Sequence, residues 1–145
     1  MKSFFTGLYN FWYFRKVIWN FRWWDYQYNL DLFAKSWEYS KNGISKKGIH
    51  LEKDNDVQEI QELLNELKRF NDQPFLEEAE KEIGYKLVGF DFEEIPGTDF
   101  YKMVDKSGKD EEKSNQVLDL AHKLEEENWK KIWEICRNNM QGWWD

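Results

Sequence analysis

Apolar residues recur along most of this chain at spacings of three and four, the signature of helices that pack through one face. Tyr26, Leu30, Phe33 and Trp37 follow one another at intervals of four, three and four, and Asp25 stands ahead of them as an N-cap or first-turn acid. Asn42–Gly43 is expected to end that helix, with glycine supplying a left-handed residue, and Ser45 to Gly48 reads as a solvated loop. The clearest stripe begins near Asp54 or Asp56. There Val57, Ile60, Leu64, Leu67 and Phe70 are apolar, while Gln58, Glu59, Gln61, Glu62, Glu66 and Lys68 form the wet face. Pro74 stops this helix and opens a short one whose apolar side is Phe75, Ala79 and Ile83. The last helix is expected from about Asp110 to Met140 with Gly142 as its cap. Val117, Leu120, Ala121 and Leu124 pass through a break or register change near Glu126–Asn128 into Ile132, Trp133, Ile135 and Cys136.

Two segments depart from this pattern. Phe4 to Asn20 is mostly aromatic or β-branched and holds no proline, and a helix is predicted. Its apolar residues run almost all the way round, so it should be central in a core or covered by a partner. Residues 85–104 read instead as strands. YKLVGFDF would be one, with Gly89 as a bulge, Pro96–Gly97 the turn and FYKMV the return; KSGKDEEKSN follows as a charged loop. The expected fold is therefore mainly α: an antiparallel helical bundle with a small β-hairpin-like insertion near 85–104, in a single helical domain over residues 1–145.

Composition sharpens this in three ways. Aromatic residues make up 19% of the 145 positions, so much of the apolar area sits in rings, and buried indole N–H and phenol O–H groups need partners. Net charge is −7, yet residues 1–24 hold Lys2, Arg15, Lys16 and Arg22 and no acid, which leaves −11 on the rest. An acidic body is a poor match for duplex DNA, whose phosphates call for Lys and Arg. The one cysteine, Cys136, has no intrachain disulfide partner, so a reducing compartment is expected. The N-terminal run is aromatic, is interrupted by Asn10, and leads into Arg15–Lys16 without a cleavage site, unlike a secretory signal. It is also too short and polar to span a bilayer, which takes roughly 20 apolar residues.

Catalytic and metal signatures are missing from the sequence. His50 and His122 have no ligand at metal spacing, and no phosphate-binding glycine loop, dinucleotide fingerprint or nucleophile elbow occurs. The segment around His50, Glu52, Asp54 and Asp56 reads as a solvated helix start rather than a calcium loop. His122 with Glu126 reads as a surface pair, Cys136 as a small buried hydrophobe, and acids such as Glu77, Glu78, Glu80 and Glu125 to Glu127 as a wet face. No catalytic residue, metal or cofactor is expected.

Residues 14–26, FRKVIWNFRWWDY, stand out. Arg15, Lys16 and Arg22 alternate with Phe14, Trp19, Phe21, Trp23 and Trp24, and cations among rings can stack a base while holding a phosphate. The structural alternative is that the rings fill the core while the long basic side chains run along them to water. The tail, Trp143–Trp144–Asp145, should pack on the N-terminal aromatic helix or on a second copy.

FRWWDY at residues 21–26, the patterned helix after it, NWKKIWEIC near the end and the closing WWD resemble small, largely uncharacterised helical proteins of tailed bacteriophages. The resemblance covers about half of the chain and carries no catalytic residue. It implies a phage accessory protein acting in the host cytoplasm. Its expected role is non-enzymatic counter-defence, by sequestering a small nucleotide signal or blocking a host protein through Arg15, Lys16, Arg22, Trp23 and Trp24. The alternative is a structural phage protein that self-assembles into a homo-oligomer without a small-molecule ligand. An enzyme with scattered residues and an acidic DNA mimic rank below these.

Overall fold

A computed structural model describes residues 2–47, 53–87, 90–105 and 110–144. His50, Glu52, Gly89 and Asp145 lie outside the described residues, as does the side chain of Trp144. The protein is mainly helical, with α1 (Lys2–Asn20), α2 (Tyr26–Lys47), α3 (Lys53–Asp72), α4 (Phe75–Ile83) and α5 (Glu111–Asn139). One hairpin, β1 (Phe90–Glu94) and β2 (Tyr101–Asp105), precedes α5, and a 3-10 turn at Gly142–Trp144 follows it. No helix among the described residues is long and apolar enough to cross a membrane. The chain divides into two compact units, Met1–Asp72 with Lys130–Asp145, and Gln73–Trp129.

In the first unit, successive helices run antiparallel. Tyr39 donates to Asn10 Oδ1 at 2.9 Å between α2 and α1. Asn71 donates to Asp31 at 3.0 Å, and Lys41 to Gln61 at 2.6 Å, between α3 and α2. The end of α5 lies along α3, where Lys131 bridges Glu62 at 2.9 Å and Glu66 at 2.7 Å. The buried residues include Leu30, Trp37 and Ile44 of α2, Ile60, Leu63, Leu67 and Phe70 of α3, and Ile132, Ile135 and Cys136 of α5. Each large aliphatic side chain removed from water contributes about 1.5–3 kcal/mol.

Asp25 caps α2 as expected, accepting from the Gln27 N–H at 2.9 Å. The helix does not stop at Gly43, however, and Ser45 to Lys47 are helical rather than looped. The reason is Ile44, which lies seven residues beyond Trp37 and fourteen beyond Leu30 and is buried with them. Its burial outweighs the cost of about 1 kcal/mol for an internal glycine. In α3 the buried stripe is Asp56, Ile60, Leu63, Leu67 and Phe70, with Leu64 only half-buried.

In the second unit, Pro74 opens α4, with Phe75 and Ala79 buried and Ile83 half-buried. Gly84 closes it in the left-handed region at φ 68°. The strand expected to start at Tyr85 starts only at Phe90. The Tyr85 N–H bonds the Glu80 carbonyl at 3.2 Å and the Leu87 N–H bonds the Glu80 carboxylate at 2.9 Å, so this stretch is tied back to α4. The hairpin pairs Phe90 with Asp105 and Glu94 with Tyr101, and its turn holds Gly97 at φ 83°. Phe100 precedes the returning strand, and its carbonyl accepts from the Ile95 N–H at 3.0 Å.

The expected break in α5 does not occur. Ser114, Val117, Ala121, Leu124, Asn128, Ile132 and Ile135 form one stripe of buried and half-buried positions at spacings of three and four. Asn128 belongs to that stripe although it is polar, which is why a count of apolar residues lost the register there. Gly142 is not a left-handed cap; the Met140 N–H bonds the Cys136 carbonyl at 3.0 Å, and Gly142 begins the 3-10 turn.

Candidate functional site

Arg15, Lys16, Arg22, Trp23 and Trp24 are all exposed. The reading in which the rings of this segment fill the core is therefore overturned for the tryptophans. Trp19 is 86% exposed and Trp23 79%. Nor is α1 central: none of residues 3–20 is fully buried.

What holds α1 is one seam. Tyr13 meets the Tyr39 ring edge-on at 5.1 Å, Phe14 meets it at 5.7 Å, and Lys35 stands 4.3 Å over the Tyr13 ring. Partial burial pushes the Tyr13 phenol up, and the charge of Glu38 adds to this. Lys35 is likewise raised, chiefly by its 2.6 Å hydrogen bond to Glu38. Asn10, Tyr13, Phe14 and Val17 are the half-buried residues of α1. Extending their spacing back along the helix reaches Thr6 and Ser3, so the side that carries the seam is also the more polar one.

The opposite side is apolar and basic. Phe4, Leu8, Phe11 and Ile18 form one exposed stripe with Arg15 among them, and Phe5, Tyr9, Trp12 and Trp19 form a second with Lys16, in which Tyr9 borders the seam and meets the Tyr39 ring at 6.1 Å. The Arg15 guanidinium lies 4.0 Å from the centre of the Trp12 ring. Helix α1 is thus amphipathic in the inverted sense, and turns its richer apolar face outward.

At the end of α1 the chain turns through residues 21–25. Arg22 donates to the carbonyls of Asn20 at 3.2 Å and Phe21 at 3.0 Å, placing its charge on the C-terminus of the helix. Trp23 and Trp24 meet edge to face at 5.7 Å on this turn. Lys16 and Arg22 line an open cleft of about 290 Å³ with Val17, Asn20, Tyr28 and Asp31. Arg15, Trp23 and Trp24 are not among its lining residues, so the five sequence-derived positions share a surface rather than a pocket. Asp31 and Tyr28, which no motif marked, complete the cleft from α2.

The other candidates fall elsewhere. His122 is exposed on α5. Cys136 is buried, and that burial pushes its thiol up, away from nucleophilic use. Among the described residues no group of three or more His, Cys, Asp or Glu side chains could hold a metal ion. Of the tail, Trp143 packs on α2 and α3 rather than α1: it is 1% exposed, meets Trp37 of α2 edge to face at 4.6 Å, and donates its indole N–H to Glu59 of α3 at 2.8 Å.

The outcome is an exposed, basic and aromatic surface on a helical scaffold. No protein-family model, curated protein or solved structure matches this chain.

Proposed function

We propose that this protein is a non-enzymatic accessory factor of a tailed phage, which acts in the host cytoplasm by docking the α1 face and the 21–25 turn on a host component. The observation that supports this is the outward ring surface of α1, interspersed with Arg15 and Lys16 and flanked by Arg22, Trp23 and Trp24. A run of exposed apolar side chains this long exceeds the scattered exposure ordinary for a surface and marks a contact site. Such an exposed surface favours an extended partner over a small nucleotide, which calls for a pocket that encloses most of its surface.

Hydroxyl-radical footprinting tests the reading, since exposed indoles oxidise readily. With whole host extract, membranes included, Trp19, Trp23 and Trp24 are expected to lose their oxidation. Unchanged oxidation of these three, with protection elsewhere, refutes the proposal. Sequestering of a nucleotide is the second reading, supported by Lys16 and Arg22 on one cleft. Heat on titrating cyclic or linear nucleotides, abolished by K16E, would favour it. The self-assembling alternative is disfavoured by charge, because pairing α1 with its own copy sets three cations against three.

A further inference from the structure

The partner of this surface can be narrowed by its charge and shape. Residues 1–24 carry four cations and no acid, while residues 25–145 carry −11. Anything that covers α1 must therefore accept positive charge. The exposed rings extend along a 19-residue helix, about 28 Å at 1.5 Å per residue, and stand out from it rather than line a groove. Arg15 and Lys16 rise among those rings, and Arg22, Trp23 and Trp24 continue the surface past the helix end.

We infer that α1 and the 21–25 turn form an interfacial anchor that lies flat on an anionic lipid bilayer. The inference rests on the reading above that this surface is where the protein makes contact, and it names the partner. Four observations favour lipid over the alternatives. The rings are of the kind that settle at the membrane–water boundary, Trp12, Trp19, Trp23 and Trp24 each pairing an apolar body with a polar tip. The stripe of Phe4, Leu8, Phe11 and Ile18 is exposed and lies opposite the seam, so it can enter the acyl boundary to a depth of about 5–10 Å without disturbing the contact with α2. Arg15, stacked on Trp12, carries its charge beside a ring and is placed to meet lipid phosphate. No acid lies among residues 1–24, so the surface offered to the bilayer carries positive charge alone. A second copy is excluded as occupant at the α1–α1 contact by like charge, and a groove-bearing protein would be met better by one apolar stripe than by two adjacent stripes this broad.

The test uses the full chain with vesicles of phosphatidylcholine alone and of phosphatidylcholine with 30% phosphatidylglycerol (about one anionic lipid in three). Cosedimentation and a blue shift of tryptophan emission are expected with the anionic vesicles and not with the neutral ones. The R15E/K16E pair should lower partitioning by about a hundredfold or more, as each basic residue contributes roughly a factor of five near such a surface. L8S/F11S should abolish the emission shift. All four substituted positions are exposed, and an unchanged far-ultraviolet spectrum shows that each variant folds. No sedimentation with anionic vesicles overturns the inference, as does equal binding by R15E/K16E or by L8S/F11S. Footprint protection of Trp19, Trp23 and Trp24 by membrane-free extract alone also overturns it, while leaving the contact surface itself intact.

Discussion

Trp143→Ala is the sharpest probe of the core, because one side chain there unites three elements. Trp143 is buried to 1% exposure, packs edge to face on Trp37, and donates to Glu59, whose other carboxylate oxygen accepts from Asn55 at 2.9 Å. A buried indole hides about 150–250 Å², worth about 4–6 kcal/mol at 25 cal/mol per Å². The edge-to-face pair adds about 0.5–1.5 kcal/mol, and the N–H bond to a carboxylate about 1.5 kcal/mol. Collapse of the site and rehydration of the half-buried Glu59 return part of this, so the expected net loss is about 4 kcal/mol, within the range for Trp→Ala in cores. For a chain of this size that lowers Tm by about 8–16 °C. Urea titration followed by circular dichroism measures it, with the slope on urea unchanged. Trp143→Phe separates the terms: it keeps most of the ring packing, loses the N–H bond, and should cost about 1–2 kcal/mol. A loss below about 1.5 kcal/mol for Trp143→Ala would refute the packing argument, since a tail that merely touches the surface costs no more than that.

Three further outcomes follow from named positions. Gly43→Ala should raise stability by about 0.5–1 kcal/mol in a denaturant titration, because Gly43 is inside α2 and an added Cβ meets nothing within 4 Å; a loss would show the helix to end there after all. Cys136 should react with a thiol-specific disulfide reagent at least about 100-fold more slowly in native buffer than in urea, because its thiolate is disfavoured by burial. Its thiol is raised on folding, so that contribution to stability is complete below the ordinary thiol pKa and declines as pH rises toward the folded value; stability that increased with pH across that window would contradict the burial. Asp110→Ala should speed amide exchange at Lys113, whose N–H the carboxylate accepts at 3.1 Å. The carboxyl is lowered, chiefly by that N–H, so the protection should persist above the ordinary Asp range and fade as pH falls through the lowered pKa; protection unchanged in acid would show that another group caps α5.

Much of the fold was legible because helical spacing reports directly on which face is buried. The α2 and α3 stripes, the Asp25 cap, Pro74 and the Pro96–Gly97 turn were all readable, each resting on a local physical constraint. The errors arose where burial and polarity part company. Asn128 is a buried polar residue inside its stripe, so a rule that counts only apolar positions breaks α5 there; in α3, Ile60, Leu67 and Phe70 are buried as expected, but Asp56 and Leu63 are buried in place of Val57 and Leu64. Gly43 looks like a stop because its intrinsic cost is visible locally, whereas the burial of Ile44 that outweighs it is tertiary. Arg15, Lys16, Arg22, Trp23 and Trp24 stand out as a cluster in the sequence, but their exposure does not. Ser3, Thr6 and Asn10 on one stripe and Phe4, Leu8 and Phe11 on the next already distinguish two sides of α1, yet nothing in the chain alone says which side meets α2.

Trp143 and the tryptophans of residues 19–24 differ in what the fold offers them. Trp143 found both an aromatic neighbour and an acceptor for its N–H, and it is buried. Trp19, Trp23 and Trp24 are not, because the interior of that unit is already occupied by the aliphatic stripes of α2, α3 and α5. Leaving one indole in water rather than burying it forgoes about 4 kcal/mol or more. With Trp12 and the phenylalanines of α1 added, the forgone stabilisation exceeds the whole net stability of about 5–15 kcal/mol on which a domain ordinarily rests. Rings in that number, on a helix held by a single seam, represent binding energy that folding has not used. The cations among them, with no acid in the first 24 residues, set the sign of the surface that can use it.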